Sequence, residues 1–366
     1  MVYRAIGLMS GSSLDGLDIV YTELEESGGK WSWTIPCSAC RTYPTEWAER
    51  LAADPHFLSA LEYQLLHAEY GHFLGQEVNR FIQENGIEYK VGLIASHGHT
   101  TFHLPGRMTA QLGDGAAIAA ETGLPVVSDL RALDVALGGQ GAPIVPMGEK
   151  LLWPDHRYFL NIGGIANISC QGSDRFVAFD VCPANRVLNA LAAEAGLPYD
   201  DGGNMATQGR VDPDLLYGLN ALDYYGKAYP KSLDNAFGTD AVLPIVNASG
   251  LSLRDRMATY VAHVSQQVRQ AVIRTRSAEG VASPDEKMLV TGGGAFNTAL
   301  MDLIRSQLEP LGIAAEAADR STVEFKEALV MALLGVLRWR EEETVLSSVS
   351  GASRGSIGGA LWMGSK

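Results

Sequence analysis

The segment M-S-G-S-S-L-D-G-L-D, which runs from Met9 to Asp18, sets the pattern that decides the fold. It follows an apolar strand (Tyr3–Met9) and precedes a second extended stretch (Asp18–Leu24), so it predicts the turn of a β-hairpin. Its Gly and Ser residues allow several backbone N–H groups to converge on one point, which favours an anion such as a phosphate. Taken alone, the loop is equally compatible with a plain turn, because it lacks the G-x-x-x-x-G-K-[ST] pattern.

A second hairpin of the same kind begins at Asn161, with the string N-I-G-G-I-A-N-I. Strands are predicted over 158–161, 165–170 and 176–179, followed by a helix over 184–195. The order of strand, glycine turn, two strands and helix therefore occurs twice, about 150 residues apart. This repetition predicts two related α/β halves. Asn167 could bind a phosphate or simply cap its turn.

A third glycine-rich segment, L-V-T-G-G-G-A-F-N, runs from Leu289 to Asn297. It predicts a strand that enters a tight turn and then a helix over 298–307. Glycines there allow a flat ring or a phosphate to approach the backbone at a helix N-terminus. The remaining predictions are a third N-terminal strand over 31–40, strands over 91–96 and 126–128, and helices over 46–86, 110–123, 254–277 and 323–342.

The composition limits the possible functions. The 366 residues include 28 Lys and Arg against 42 Asp and Glu, a net charge of −14, so a nucleic-acid-binding surface is not expected. No apolar run reaches the ~18 residues of a membrane span, and no secretion signal is recognisable, so we expect a cytoplasmic protein with reduced cysteines. Cys37 and Cys40 lie on a predicted strand, which favours two thiols over a zinc or redox site.

Taken together, the two hairpins and the late G-G-G turn resemble the actin-like ATPase fold of sugar kinases, in which ATP lies in a cleft between two α/β domains. More specifically, the chain resembles the anhydro-N-acetylmuramic acid kinase family. The resemblance covers nearly the whole chain. It rests on M-S-G-S-S-L-D-G-L-D at 9–18, H-G-H-T at 97–100 with His103, Q-L-G-D at 111–114, D-L-R-A-L-D-V-A-L-G-G-Q-G-A-P at 129–143, L-N-I-G-G-I-A-N at 160–167, V-T-G-G-G-A-F-N at 290–297 and E-A at 327–328.

The resemblance implies an enzyme that opens the 1,6-anhydro bond of its sugar with water and transfers the γ-phosphate of ATP to O6. The catalytic base would be Asp180, since a carboxylate can accept a proton from water. Mg²⁺ would be held by Asp15 and Asp18. The sugar would be bound by His97, Thr100, Arg131, Gln140, Asn185 and Glu327. ATP would be bound by Gly11, Ser12, Ser13, Leu14, Asp15, Gly16, Asp18, Gly163, Gly164, Asn167, Gly292, Gly293, Gly294 and Asn297.

The same resemblance implies two ribonuclease H-like domains. We place the N-terminal domain at residues 1–130 plus 348–366 and the C-terminal domain at 131–347, with a hinge near 129–142. The expected partners are a small amino sugar and ATP, and a homodimer is compatible with the resemblance.

The sequence departs from the family strings at three places. The family's D-T-G-P-G-N is D-V-C-P-A-N at 180–185, which adds the side chains of Val181 and Cys182 where we expect the sugar. Its K-S-T-G-R-E is K-S-L-D-N-A at 231–236, and His99 replaces a glutamine. Two alternatives therefore stay open, a kinase for a different amino or anhydro sugar and a non-catalytic nucleotide-gated binding protein. Metal binding by His97, His99 and His103 is less favoured, because no Cys or carboxylate cluster lies nearby in the sequence.

Overall fold

A computed structural model describes residues 1–11, 14, 16–234, 236–280 and 285–365. The chain divides into two compact units. The N-terminal unit comprises Met1–Trp153 and Phe325–Lys366, and the C-terminal unit comprises Pro154–Glu324. Ser12, Ser13, Asp15 and Asn235 lie outside the described residues.

The strands and helices of the described residues alternate along the chain, as expected for an α/β protein. The strands are β1 (Val2–Ser10), β2 (Leu17–Ser27), β3 (Lys30–Arg41), β4 (Leu93–Leu104), β5 (Met108–Leu112), β6 (Val126–Ser128), β7 (Tyr158–Ile162), β8 (Ile165–Gln171), β9 (Phe176–Pro183), β10 (Glu286–Thr291), β11 (Ile313–Ala317) and β12 (Ala360–Trp362). The helices are α1 (Thr45–Ala52), α2 (Ala60–Asn85), α3 (Gly115–Thr122), α4 (Ala132–Ala136), α5 (Val145–Leu152), α6 (Asn185–Ala193), α7 (Pro213–Asn220), α8 (Asp223–Gly226), α9 (Leu243–Ala248), α10 (Leu253–Glu279), α11 (Thr298–Leu308), α12 (Arg320–Trp339) and α13 (Ser347–Ser350).

The sheet of the N-terminal unit has the strand order β12-β6-β4-β1-β2-β3, with β5 paired to β4. β1, β2 and β3 form an antiparallel meander, whereas β4 runs parallel to both β1 and β6. Helix α12 packs so closely on β1 that a Cβ atom at Gly7 would lie 1.9 Å from the carbonyl oxygen of Ala328. This approach explains a glycine in the middle of a buried strand.

The sheet of the C-terminal unit has the order β11-β10-β7-β8-β9. β7, β8 and β9 are antiparallel neighbours, and β10 runs parallel to β7 and β11. Ignoring β5 and β12, both sheets therefore have three meandering strands followed by two parallel ones, in the spatial order 3-2-1-4-5. This is the order of the ribonuclease H-like fold. The predicted pair of related α/β domains is confirmed by the topology.

Two predicted helices differ in the structure. The single helix expected over 46–86 is interrupted, because Pro55 follows Asp54 and a new helix begins after Ser59, whose side chain accepts a hydrogen bond from the N–H of Glu62. The helix expected over 110–123 begins only at Gly115. The residues before it pair with β4 as strand β5, and the Asp114 side chain caps the helix.

The boundaries of the two units differ from the predicted division at residues 130 and 347. Helices α5 and α12 bury their apolar side chains in one cluster with Ala5 of β1 and Leu93 of β4. Burial against the same sheet places α5, and α12 from Phe325 onward, in the N-terminal unit. The segment 129–142, which we expected to be a hinge, also lies within that unit.

Candidate active site

The loop between β1 and β2 supplies the first group of predicted nucleotide ligands. Its described members are Gly11, Leu14, Gly16 and Asp18. The Leu14 N–H donates to the carbonyl of Gly11 over 3.3 Å, which closes a tight turn. A Cβ at Gly16 would lie 2.6 Å from the carbonyl oxygen of Arg41, so a side chain there would push the loop away from β3. Asp18 is half-buried at the start of β2 and has a partner within the protein.

Arg131 is the central charged group of the N-terminal unit's predicted site. Its Nε donates to Nε2 of His97 over 2.9 Å, and its Nη1 donates to the carbonyl oxygen of Gly141. Burial lowers the pKa of Arg131 to about 10, and the charges of Glu327 and Asp134 act in the opposite direction. The guanidinium therefore remains charged at neutral pH. These interactions bring three predicted sugar ligands, His97, Arg131 and Glu327, into one region.

A buried carboxylate shapes the glycine turn that faces Arg131. Asp134 is fully buried, and its Oδ2 accepts from the N–H of Gly141 over 2.8 Å. Its Oδ1 accepts from the hydroxyl of Ser350 over 2.6 Å. A Cβ at Gly139 would lie 2.3 Å from Oδ2, so the carboxylate occupies the space that a side chain would need. Gln140 is exposed at this turn, and its N–H donates to the Ser350 carbonyl over 2.8 Å.

The three histidines at positions 97, 99 and 103 have separate environments. His99 is buried, and its Nδ1 lies 3.0 Å from the Ser10 hydroxyl, which accepts from the Tyr43 hydroxyl over 2.7 Å. His103 is exposed, with Nδ1 3.4 Å from Oγ1 of Thr109. Within the residues that the structure describes, no group of three or more His, Cys, Asp or Glu side chains could hold a metal ion. Thr100 is exposed on β4 and accepts from Gln111 Nε2 over 3.4 Å.

In the C-terminal unit, the glycine turns come together where β7 and β10 end side by side. A Cβ at Gly292 would lie 2.2 Å from Oδ1 of Asn161, and a Cβ at Gly294 would lie 2.2 Å from Cγ2 of Ile162. Gly293 faces more open space, because its nearest neighbour would be Nδ2 of Asn185 at 3.7 Å. The carboxyl ends of adjacent parallel strands commonly form ligand sites in α/β folds.

Hydrogen bonds tie the remaining ligands to these turns. The Gly163 carbonyl accepts from the N–H of Asn185 over 3.0 Å, and the Gly164 carbonyl accepts from that of Ala184 over 2.8 Å. Nδ2 of Asn185 donates to the carbonyl of Ile162 over 3.0 Å. Asn297 caps α11, its Oδ1 accepting from the Leu300 N–H over 3.0 Å. The start of α6, the hairpin turn and the G-G-G turn are thus held in one region.

A row of polar residues crosses the four strands beside these turns. Thr291 of β10 pairs with Asn161 of β7, which pairs with Asn167 of β8, which pairs with Asp180 of β9. Directly paired residues lie on the same face of a sheet, so the four side chains share one face. The hydroxyl of Thr291 is buried without a hydrogen-bond partner in the described part of the chain. Asn161 and Thr291 were not among the predicted site residues, although both lie next to the predicted glycine turns.

Asp180 stands at the β9 end of this row and is half-buried. Its Oδ2 accepts from the N–H of Leu233 over 2.8 Å, and its carbonyl accepts from the Tyr224 hydroxyl over 2.7 Å. Burial raises the pKa of Asp180, and the hydrogen bond from Leu233 partly opposes this shift. A carboxylate with a raised pKa is a stronger proton acceptor than an exposed one.

Lys231 lies beside Asp180 and was not among the predicted site residues. Its Nζ donates to the carbonyl of Tyr224 over 3.2 Å and lies 4.3 Å from the centre of the Tyr224 ring. Burial, reinforced by the charge of Arg274, lowers the pKa of Lys231 to about 8. The only signal in the sequence was its place at the start of the altered K-S-L-D-N-A segment.

The altered D-V-C-P-A-N segment does not add side chains to an open surface. Val181 is 3% exposed and Cys182 is fully buried, and both pack in the hydrophobic core of the C-terminal unit. The register between β8 and β9 shifts at this point, with Cys182 opposite Ala166 and Asp180 opposite Asn167. The extra residue, Val181, forms a β-bulge. Asp180 follows the regular alternation of β9 and faces the polar row, whereas the bulge after it places Cys182 opposite the buried Ala166.

None of the four cysteines forms a disulfide, and burial raises the pKa of Cys182 well above its usual value, so this thiol is unreactive at neutral pH. Among the described residues, no helix is both long enough and apolar enough to cross a membrane.

Comparison with known proteins shows the family of this chain. A family model described as anhydro-N-acetylmuramic acid kinase matches residues 3–364. A relative in Salinibacter ruber bearing that name is 34% identical over 97% of this chain and 95% of its own length. Relatives of the same name in Methylobacterium nodulans and Streptomyces coelicolor are each 34% identical, over 97% and 99% of this chain and 98% and 94% of their own lengths. The chain belongs to the anhydro-N-acetylmuramic acid kinase family.

Proposed function

We propose that this protein is an ATP-dependent carbohydrate kinase that opens 1,6-anhydro-N-acetylmuramic acid with water and phosphorylates its O6. The product is N-acetylmuramic acid 6-phosphate, an intermediate of peptidoglycan recycling. Family membership over nearly the whole chain supports the overall reaction. The observation that carries the mechanism is Asp180, a half-buried carboxylate with a raised pKa on the polar face of the sheet.

Asp180 acts as the general base in this proposal. One carboxylate oxygen accepts a proton from water as the water oxygen forms a bond to C1 of the sugar. The C1–O6 bond breaks, and its electron pair stays on O6. The N–H of Leu233 holds Oδ2 in place. This leaves the other carboxylate oxygen, Oδ1, to receive the proton.

Phosphoryl transfer follows from the same bond cleavage. O6 attacks the γ-phosphorus, the bond to the β-phosphate oxygen breaks, and ADP leaves. Such transfers depend mostly on positioning and charge stabilisation. The glycine turns at 163–164 and 292–294, with Asn167 and Asn297, are proposed to bind ATP, as is the loop from Gly11 to Asp18. Glycine at these places keeps the backbone accessible to phosphate oxygens.

The residues present are compatible with Mg²⁺. This ion is usually held by one or two carboxylates together with substrate phosphates. Asp18 and Asp15 are the proposed ligands, and of these the structure describes Asp18. When bound, Mg²⁺ would neutralise part of the phosphate charge.

The sugar is proposed to contact Arg131, Thr100, Gln140, Asn185 and Glu327. Arg131 supplies a fixed cation, and the exposed Gln140 lies on the turn held by Asp134. The burial of Val181 and Cys182 supports the family sugar as the substrate, because these departures lie in the core. We further propose that the protein is located in the cytoplasm. We also propose that it forms a homodimer, which sedimentation of the purified protein would test.

The test is an assay with ATP, Mg²⁺ and 1,6-anhydro-N-acetylmuramic acid in ¹⁸O-labelled water, with ADP and sugar phosphate followed by mass. The expected product carries one ¹⁸O atom, at C1. Asp180→Asn should lower kcat by ~10²–10⁴-fold, the usual contribution of a general base. Asp174→Asn, which changes an exposed carboxylate in the same unit, is the matched control. Product without ¹⁸O, or an Asp180→Asn enzyme as active as the control, would contradict the proposed mechanism.

A further inference from the structure

His97 is fully committed to contacts within the protein, although the sequence indicated a ligand of the sugar. It is 5% exposed on β4. Its Nδ1 lies 2.8 Å from the carbonyl oxygen of Gly98, and its Nε2 lies 2.9 Å from Nε of Arg131. Neither ring nitrogen is left for a ligand. Any effect of His97 on a ligand must therefore pass through Arg131.

The two contacts fix the protonation state of the ring. A carbonyl oxygen only accepts, so Nδ1 must carry the hydrogen. An arginine Nε only donates, so Nε2 must be unprotonated. His97 is therefore the neutral Nδ1–H tautomer. In agreement, burial and the charge of Arg131 lower the pKa of His97 to about 3.

A β-bulge creates this arrangement. Leu8 of β1 pairs with Ser96 of β4, but Ser10 pairs with His99, so His97 and Gly98 together face one residue of β1. Gly98 has φ of 72°, and a Cβ there would lie 2.4 Å from the carbonyl oxygen of Leu112. The left-handed backbone at Gly98 accompanies a carbonyl that faces the preceding ring. Bulges commonly redirect side chains next to functional sites.

The charge of Arg131 is not neutralised by a direct partner. Its Nε and Nη1 donate to an imidazole and a carbonyl, both uncharged. Glu327 and Asp134 are near enough to influence its pKa, yet Arg131 forms no ion pair with any carboxylate in the described ranges of the chain. Nη2 likewise has no acceptor among those residues. A carboxylate in place of His97 would hold the same Nε but would also cancel the charge.

We infer that His97 is a positioning residue, a neutral acceptor that fixes the orientation of Arg131 and leaves the positive charge and Nη2 of Arg131 available to an oxygen-rich or anionic group of the substrate. This inference rests on the proposed function, because it assigns the substrate contact to the sugar rather than to ATP. It also distinguishes the orientation of Arg131 from its charge. Two substitutions of His97 can separate these two effects.

The kinetic test compares His97→Gln with His97→Glu. Gln places a neutral oxygen where Nε2 accepts, whereas Glu places a charged one there. We expect His97→Gln to retain kcat/KM for the sugar within a few-fold. His97→Glu should lower it by ~10–100-fold through KM, the typical effect of losing one charge-assisted hydrogen bond. KM for ATP should stay unchanged in both. A matching loss in the two variants, or a change in the KM for ATP alone, would overturn the inference.

A double variant and a control complete the kinetic test. If His97 acts through Arg131, then His97→Glu should cost nothing further in an Arg131→Ala background. An additive loss would contradict the inference. His263→Gln is the control, because His263 is also fully buried with both ring nitrogens hydrogen-bonded, in the other unit. It should leave the KM for the sugar unchanged even if stability falls.

A spectroscopic measurement keeps the test independent of turnover. In ¹⁵N NMR of the full chain, His97 should keep a protonated Nδ1 and an unprotonated Nε2 from pH 5 to 8, and the Arg131 Nε–H signal should be slow to exchange. His97→Leu should remove that protection. A His97 that titrates near 6.5 would refute the assigned tautomer. If the wild type bound neither sugar nor ATP but kept this signature, the proposed function would fail while the His97–Arg131 contact stood.

Discussion

Replacing Lys326 with Met should destabilise the N-terminal unit far more than replacing both members of its ion pair. Nζ of Lys326 lies 2.8 Å from Oε1 of Glu149, and the two side chains are only 5% and 6% exposed. The pair joins α12 to α5. Removing one member leaves the other charge buried, which typically costs ~3–5 kcal/mol.

The expected shift can be worked out from the size of the unit. For a unit of about 200 residues, each kcal/mol lowers the melting temperature by about 2–4 °C. Lys326→Met should therefore lower the transition of this unit by roughly 6–20 °C. The double variant Glu149→Leu with Lys326→Met should recover most of the loss, because no unpaired charge remains buried.

Four proteins are needed, the wild type, the two single variants and the double variant, each followed by urea unfolding and calorimetry. Arg4→Met is the control, since it breaks an exposed ion pair with Glu23 in the same unit and should change little. Losses that simply add in the double variant would refute the reasoning, because they would mean that the two charges do not depend on each other.

Three further predictions concern stability and its relation to the site. His97 and His263 have pKa values lowered to about 3, so as the pH falls the unfolded chain binds protons before the folded chain does. The free energy of unfolding should therefore fall below pH 6.5 by ~1.4 kcal/mol per pH unit for each histidine. His263→Gln should reduce this slope in urea unfolding, and an unchanged slope would count against this prediction. Cys182→Gly should cost ~2–3 kcal/mol by removing a buried side chain, with an unchanged KM for the sugar; a lower KM at full stability would show that the thiol faces the sugar. Gly7→Ala should lower the urea midpoint strongly, because its Cβ would meet the Ala328 carbonyl at 1.9 Å; a midpoint equal to that of the wild type would exclude the close packing.

The hairpins, the repeated order of strands and the glycine turns could be predicted from the sequence, because alternating apolar residues and glycines are local signals. The polar row from Thr291 to Asp180 could not. It depends on the pairing of four strands, one of which, β10, lies far from the others in the sequence. No local pattern reports such a register.

The environments of individual side chains also could not be predicted from the sequence. His97 belongs to a family string, which indicated a sugar ligand, but a bulge turns its ring to Arg131. Val181 and Cys182 were expected at the sugar and instead lie in the core. For His97 and Cys182, one inserted residue in the strand changes the face that the side chain occupies. Pattern reading assumes regular alternation and therefore fails where a bulge occurs.

The carboxylate of Asp134 has a consequence for how this segment can evolve. It occupies the space of a side chain at Gly139 and binds the N–H of Gly141, so the three positions share one small volume. A larger residue at 139 is tolerable only if the acid at 134 is lost, and a longer acid at 134 would crowd the turn. The segment should therefore change as a block among relatives, and single exchanges within it should be rare. Gly139 would then be retained because one buried acid, Asp134, leaves no space for a side chain there.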